Sequence, residues 1–433
     1  MNISPRMFVA LLVCFICYSF ALAINTPPIR IDGIQIVGND ITKDDVILRE
    51  IMILPGSWVD SADIVEAELR ITNLNLFHRV ECFPIIRNDS TILAIAVTEK
   101  WYIFPLPYAN WVGPNPGDFE YGFRYAQDNF RGWNRFLVAT AWSGSRTGIQ
   151  GMIYDPWIRG TPGLGALAQI QYEEWKEEVD GEPVEDRRRL MTILGIFKRF
   201  GTEITLRTFV GGHRWLLDSS DAITRNGNDH WYTSRFEYQR DRRDLIELPH
   251  RGDYILLWFE MNRSADVWIN RYVTGVDARQ YLPLAKRWTL SAGIIAIGSD
   301  GLDPEYMRLR LGNTIPMRGY RDLSIPGGFI AKGGMDLRWN VLPIHYYTWR
   351  TAPKWLAKHT RNWKYGASVS LFQEIGQSWE KNAPLQSRRL LNGYGAAVSF
   401  SLPYVNVLRF DLGFNPEDGF SEPAFRAWLT AAY

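Results

Sequence analysis

Met317-Arg318-Gly319-Tyr320 is the stretch whose reading decides the fold. It lies in a long polar segment, residues 299–327, between two runs of alternating apolar and polar residues. Similar runs precede it, and more follow as far as a terminal aromatic, Tyr433. An arginine between an apolar residue and a glycine–aromatic pair, in that setting, reads as a loop tucked back into the polar lumen of a barrel. A guanidinium there calls for an acidic anchor, because a charge taken out of water needs a partner.

Working outward, the text from Trp101 onward divides into segments of about ten residues with period-two hydrophobicity, separated by turn residues. The clearest are Phe136 to Trp142, Thr205 to Val210, Tyr254 to Met261, Lys364 to Phe372 and Ala396 to Leu402. The pattern predicts about sixteen antiparallel strands in a transmembrane β-barrel, an even number as single-chain bacterial barrels have. They start near 101, 119, 134, 147, 164, 188, 202, 230, 253, 268, 287, 328, 363, 391, 405 and 424. Glu173 to Arg189, with Asp180-Gly181, reads as one outer loop, Leu216 to Asp229 as another, and 299–327 as the sixth. Leu342 to Asn362 is a long inner turn carrying Tyr346, Tyr347, Trp349 and Trp355, expected to pack at the inner membrane interface.

Composition agrees. The chain has 433 residues, 46% of them hydrophobic, yet its mean hydropathy is −0.19, so apolar residues are dispersed and not collected into helical spans. Its 18 Trp, 20 Tyr and 22 Phe suit aromatic girdles at two interfaces. A net charge of +1 gives no nucleic-acid footprint. Residues 1–23 read as an export signal: Arg6, an apolar core from Met7 to Leu22, and a small-x-small site at Ala21-Leu22-Ala23. Cys14 and Cys17 leave with it, and Cys82 remains as a small hydrophobe in a strand.

Residues 24–100 read as a separate module of order β-α-α-β-β. A strand through Ile34 and Ile36 stops at Gly38-Asn39, and Thr42 is the expected N-cap of a helix from Val46 to Ile51. Asp60 caps a second helix carrying Ile64, Leu69 and Leu74, and Val80 to Ile86 turns at Asn88-Asp89 into Ile92 to Val97. The module resembles a POTRA domain in Val37-Gly38-Asn39, in Leu74 with Phe77 to Val80, and in Val97-Thr98-Glu99.

The whole of 28–433 then resembles the BamA/TamA superfamily of outer-membrane assembly factors, the bacterial surface-antigen family. Asp128-Asn129-Phe130-Arg131-Gly132 and Tyr154-Asp155-Pro156-Trp157 are similar to its first inner turns. Met317-Arg318-Gly319-Tyr320 matches its sixth-loop motif, Gly334-x-Asp336 and Phe372-x-Glu374-x-Gly376 fall on the twelfth and thirteenth strands, and Gly393-x-Gly395 and Leu408-Arg409-Phe410 resemble the closing strands. The family usually carries Glu where this chain has Asp336 and Asp where it has Glu374, so the two acids are exchanged. The resemblance implies a lumen anchor of Arg318, Gly319 and Tyr320 in which Arg318 meets Glu374, with Asp336 close by. It also implies a weak seam between the first and last strands, formed by Trp101, Tyr102, Phe104, Ala424, Phe425 and Tyr433. Pro105 and Pro107 in the first strand, and Pro423 just before the last, fit a seam with few hydrogen bonds.

Implied with it is a non-enzymatic function, the insertion or translocation of client polypeptides. The expected partners are outer-membrane lipids, unfolded barrel clients, and periplasmic chaperones or accessory lipoproteins, with the module in the periplasm. A two-partner-type secretion pore and a passive surface barrel are the alternatives. No cofactor or metal set is expected: the six His are scattered, with no H-E-x-x-H, nucleophile elbow or phosphate loop.

Overall fold

In the computed structural model, residues 27–430 are described apart from 112–118, 180–181, 219–220, 225, 322, 355 and 381–389. The signal segment 1–23, Asp180-Gly181, Trp355 and Tyr433 therefore lie outside the described residues.

The N-terminal module keeps the expected order. Gly33–Val37 pairs in parallel with Ser90–Glu99, which pairs antiparallel with Phe77–Arg87. Asn88 and Asp89 make the hairpin turn in left-handed conformation, which these residue types tolerate. Two helices, Asp44–Leu48 and Ser61–Asn73, cover one face of the sheet. Asp60 caps the longer helix as expected, accepting from the amides of Ala62 and Asp63, while Asp63 returns a bond to the Asp60 amide. The shorter helix departs from expectation. Its N-cap is Lys43 and makes no side-chain cap. Thr42 is instead buried and gives its hydroxyl to Glu99 Oε1 at 2.6 Å. A carboxylate across the sheet outcompetes a helix end of five residues. Ile31, Val46, Ile47, Ile71, Leu93 and Ile95 fill the core between helices and sheet.

The second unit is a sixteen-stranded sheet running in chain order, every neighbouring pair antiparallel, from Ile103–Trp111 to Gly419–Thr430. It curls back on itself: Phe104 on the first strand lies 5.8 Å from Tyr404, in the turn after the fourteenth. Side chains alternate as a transmembrane barrel requires. Along Trp363–Trp379, Ser368, Ser370, Phe372 and Glu374 are buried inside, while Tyr365, Val369 and Leu371 are exposed outside. Among the described residues no helix is long and apolar enough to cross a membrane.

Three readings change in detail. The sixth strand starts at Glu182, because Glu173 to Arg189 is not an open loop. It continues the ladder, with Glu173 opposite Arg189, Glu174 opposite Arg188 and Trp175 opposite Arg187. Opposite charges across a hairpin stabilise it beyond the apolar band. The last strand starts at Gly419, so Pro423 lies within it, next to an irregularity between Gly413 and Asn415 of its partner. The inner segment after the twelfth strand is partly ladder too, since Phe329–Tyr347 and Trp363–Trp379 extend the barrel wall toward the module. Its Tyr346 ring lies under the Arg79 guanidinium of the module, 4.9 Å from the centroid, and Asn362 donates to Thr98 at 2.8 Å. Of the aromatics in this segment, Tyr346 thus packs on the module, while Tyr347 and Trp349 remain exposed.

Candidate functional site

The sixth loop folds into the lumen. A short ladder, Arg310–Leu311 with Ile325–Pro326, stiffens its base. Leu311, Ile315 and Met317 are fully buried against Ile330 and Leu391. The Arg318 guanidinium forks onto Asp336, Nη1 to Oδ1 at 3.0 Å and Nη2 to Oδ2 at 2.9 Å. Glu374 takes Nε at 2.7 Å and the Arg318 backbone N–H at 2.9 Å. The Phe372 ring lies flat beneath, 3.9 Å from the guanidinium carbon. The bidentate partner is thus Asp336, and the longer Glu374 clips the loop's backbone. Each acid has a second cation: Arg409 on Asp336 at 2.8 Å and Lys332 on Glu374 at 3.2 Å.

Gly319 adopts φ +91°, a conformation that favours glycine, and lies flush on the wall. A Cβ on Gly393 would stand 1.9 Å from the Arg318 carbonyl oxygen, one on Gly413 2.5 Å from the Gly319 nitrogen, and one on Gly376 2.3 Å from the Met317 sulfur. The thirteenth to fifteenth strands therefore form a glycine trough for the loop tip. Tyr320 spans to the fourteenth strand, its hydroxyl donating to the Asn392 carbonyl at 3.3 Å and accepting from the Asn392 amide at 3.2 Å.

From the tip, bonds reach the end of the sheet. Asn415 donates to the Gly319 carbonyl at 2.8 Å, Arg426 to the Tyr320 carbonyl at 3.0 Å, and Arg321 to the Pro423 carbonyl at 3.2 Å. Ala424, on the same strand, is buried, while Phe425 is 65% exposed on the outer face and stacked on Phe410. Among the described residues no backbone pairing joins this strand to the first. Phe104 points inward from that first strand, onto the cluster around Phe136. Pro105 and Pro107 have no amide hydrogen, which suits a sheet edge.

Trp101 and Tyr102 are not on that edge. They precede the first strand, and Tyr102 belongs to the core of the N-terminal module. Its hydroxyl donates to the Leu76 carbonyl at 3.0 Å and lies 3.2 Å from the Thr42 hydroxyl. Trp101 meets His359 edge-on. Alternation alone carried the expected strand two residues too far, because a buried tyrosine in a linker and one in a strand read alike.

The junction between module and barrel is the part that sequence reasoning missed. Asn129, in the turn after the second strand, donates to Thr42 at 2.8 Å, and Lys43 N–H donates to the Gly132 carbonyl at 3.0 Å. Gly132 has φ +79°, and a Cβ there would strike the Ile41 carbonyl at 2.1 Å. Glu50 of the module takes both terminal nitrogens of Arg199, at 2.9 and 2.5 Å. Arg49 and Arg199 both lie over Trp157. Asn73 donates to the Asp244 carbonyl and accepts from the Ile246 amide, both at 2.9 Å. His78 meets Tyr404 edge-on at 4.8 Å. Burial, with Lys100 and Lys364 nearby, holds the His78 imidazole down to about 3, and burial lowers the Lys100 ammonium to about 7. The sequence signal was there in Asp128 to Gly132 and Tyr154 to Trp157, which the resemblance marked as turns without giving them a partner.

Residues 29–100 match the POTRA family, described as "Surface antigen variable number repeat". BamA from Haemophilus ducreyi lacking POTRA domains 1–3 aligns with TM-score 0.53 and 15% identity, over 92% of this chain and 83% of that one. In fold the chain is similar to BamA: one POTRA domain followed by a sixteen-stranded barrel. CdiB from Escherichia coli aligns with TM-score 0.57 and 12% identity, over 92% of this chain and 75% of that one. CdiB from Acinetobacter baumannii aligns with TM-score 0.51 and 10% identity, over 92% and 72%. A search of curated protein sequences finds no match. For a barrel of this fold the geometry above has one consequence: loop tip, glycine trough and last strand form a single bonded unit.

Proposed function

We propose that this protein resides in the outer membrane with its POTRA domain in the periplasm, and inserts client polypeptides, unfolded barrels among them, into that membrane. The reading is non-enzymatic. The observation that carries it is the sheet whose two ends have no described pairing with each other, beside a loop that braces the last strand. Backbone groups that face lipid must be paired. A seam that zips weakly offers its edges to an incoming strand, and a client hairpin satisfies them by strand addition. The POTRA sheet offers a second edge in Phe77–Arg87, whose far half exposes Phe83, Ile85 and Ile86. Lipids surround the wall, and periplasmic chaperones or accessory lipoproteins are the partners this reading supplies.

The test is a set of cysteine pairs, one residue from Ile103 to Ala109 and one from Pro423 to Ala427, in a Cys82→Ser background. Oxidised pairs should block insertion of a model barrel into vesicles, and reduction should restore it. Unchanged insertion with the seam locked overturns the reading. The likeness to CdiB supports a second reading, passage of an unfolded chain through the lumen. A rise in single-channel conductance on deleting residues 302–328, together with client export into vesicles, would favour it. Loss of other barrels from the membrane on depletion separates both readings from a passive surface barrel.

A further inference from the structure

Below the loop anchor lies a lumen cavity of about 640 Å³ walled by charged and hydroxyl side chains. Most of its cations are matched. Arg318 holds Asp336 and Glu374, Arg409 holds Asp336 and Asp411, Arg279 holds Asp277, and Lys332 holds Glu374. Arg338 is different. Among the described residues no carboxylate lies within ion-pair distance of it. Its Nη2 donates to the Pro249 carbonyl and, at 3.3 Å, to Thr289, but Nε is buried without an acceptor. A half-buried guanidinium that lines the cavity with no carboxylate partner calls for an anion.

The neighbours fit one. Ser370 stands directly across from Arg338 in the strand ladder, and Ser399 directly across from Arg409. All four residues line the cavity, and both serines are buried. Among the described residues neither serine hydroxyl meets a hydrogen-bond partner. The Arg338 guanidinium and Nη1 of Arg409, whose Nε and Nη2 already hold Asp411 and Asp336, flank two hydroxyls and present donors from several directions, the demand of a tetrahedral oxyanion and not of a planar one.

We propose that Arg338, Ser370, Ser399 and Arg409 form a binding site for a phosphate group, carried either by free phosphate or by a lipid headgroup. The probe is inorganic phosphate, followed by phosphorus NMR on the full chain in maltoside micelles. The parent protein gives saturable line broadening. Arg338→Gln weakens binding about tenfold or more, the worth of a charge-assisted hydrogen bond. Ser370→Ala with Ser399→Ala also weakens it, and carries the test if Arg338→Gln fails to fold. Ser291→Ala, whose hydroxyl already donates to the Asp336 carbonyl, leaves binding intact. In phosphatidylglycerol nanodiscs a headgroup ligand abolishes the broadening of added phosphate, whereas a free-phosphate site retains it. No saturable broadening in micelles, equal binding by Arg338→Gln, or displacement by acetate as readily as by phosphate overturns the assignment.

Discussion

Replacing Arg318 by alanine should loosen the sixth loop about a hundredfold, from an energy of about 3 kcal/mol at about 1.4 kcal/mol per decade. The fork onto Asp336, the Nε bond to Glu374 and the face of Phe372 are lost together. Removing one member of a buried ion pair costs roughly 3–5 kcal/mol. The low end applies here, because Arg409 stays on Asp336, Lys332 stays on Glu374, and the residue-318 amide still reaches Glu374. The carboxylates are therefore not abandoned. The loop also keeps its apolar footing in Leu311, Ile315 and Met317, so it opens more often without leaving for good. The assay is alkylation of Ile315→Cys, 2% exposed in the parent, in a Cys82→Ser background. Arg318→Lys should fall between, since an ammonium is a point charge and cannot fork. An alkylation rate for Arg318→Ala within error of the parent, in a barrel that still folds, refutes the reasoning that the anchor holds the loop.

Three further outcomes follow from the geometry. Gly393→Val or Gly413→Val should expel the loop tip by overlap and raise Ile315→Cys alkylation as Arg318→Ala does, whereas Gly151→Ala, with only the Ile170 side chain at 3.7 Å, should change nothing. Glu50→Gln removes the charge that both terminal nitrogens of Arg199 meet and should free the POTRA domain from the rim, by about 2 kcal/mol, read as faster amide exchange at Ile41 and Thr42; unchanged exchange counts against the junction. Docking should strengthen as pH rises. His78 and Lys100 bind protons less readily when docked, so the undocked state holds more protons between about 3 and 6.5 through His78 and between about 7 and 10.5 through Lys100. A spin-label distance from Ile86→Cys to the barrel rim that is constant from pH 5 to pH 9, roughly the span in which both groups titrate, or tighter in acid, would contradict this.

The sequence carried the barrel well, because period-two alternation is imposed by having lipid on one side and a wet lumen on the other. Segments such as Phe136 to Trp142 need no tertiary information to be read. It carried the anchor less completely. Arg318, Asp336 and Glu374 each had a reason to be named, but only the structure shows the fork on Asp336 and the amide on Glu374. The exchange of Asp and Glu follows from this: the shorter acid meets the end of a long guanidinium, while the longer one reaches back to the main chain. The glycines of the trough were visible as letters only. Gly376, Gly393 and Gly413 sit on three strands, and what excludes a side chain at each is a backbone or sulfur atom of a loop about 60 to 95 residues away in the chain. No local pattern encodes that distance. Charged residues misled in the other direction, since Glu173 to Arg189 reads as solvated loop until the cross-strand pairing of opposite charges is known.

The junction and the anchor bear on the seam from opposite ends of the barrel. Loop bonds run to Asp336, Glu374, Asn392, Asn415 and Arg426, so the twelfth to sixteenth strands are tied into one block at the lumen side. Module bonds run to Asn129, Arg199 and Asp244 among the early strands, and to Asn362 in the connection between the twelfth and thirteenth strands of the block itself. A motion that parts the first strand from the last can then leave the block intact and pivot the early strands about the POTRA contact at Asn129. The edge freed on the block side is a single strand whose Phe425 already faces outward. On this geometry, cutting the Thr42–Asn129 bond with Asn129→Ala should ease opening of the seam, whereas Arg318→Ala should soften the block and blur the edge it presents. Seam crosslinking yields measured on both variants distinguish the two effects: a lower yield with Asn129→Ala and a broader spread of crosslinked positions with Arg318→Ala. Identical crosslink patterns would mean that the two anchors act on one and the same motion, and the pivot would have to be abandoned.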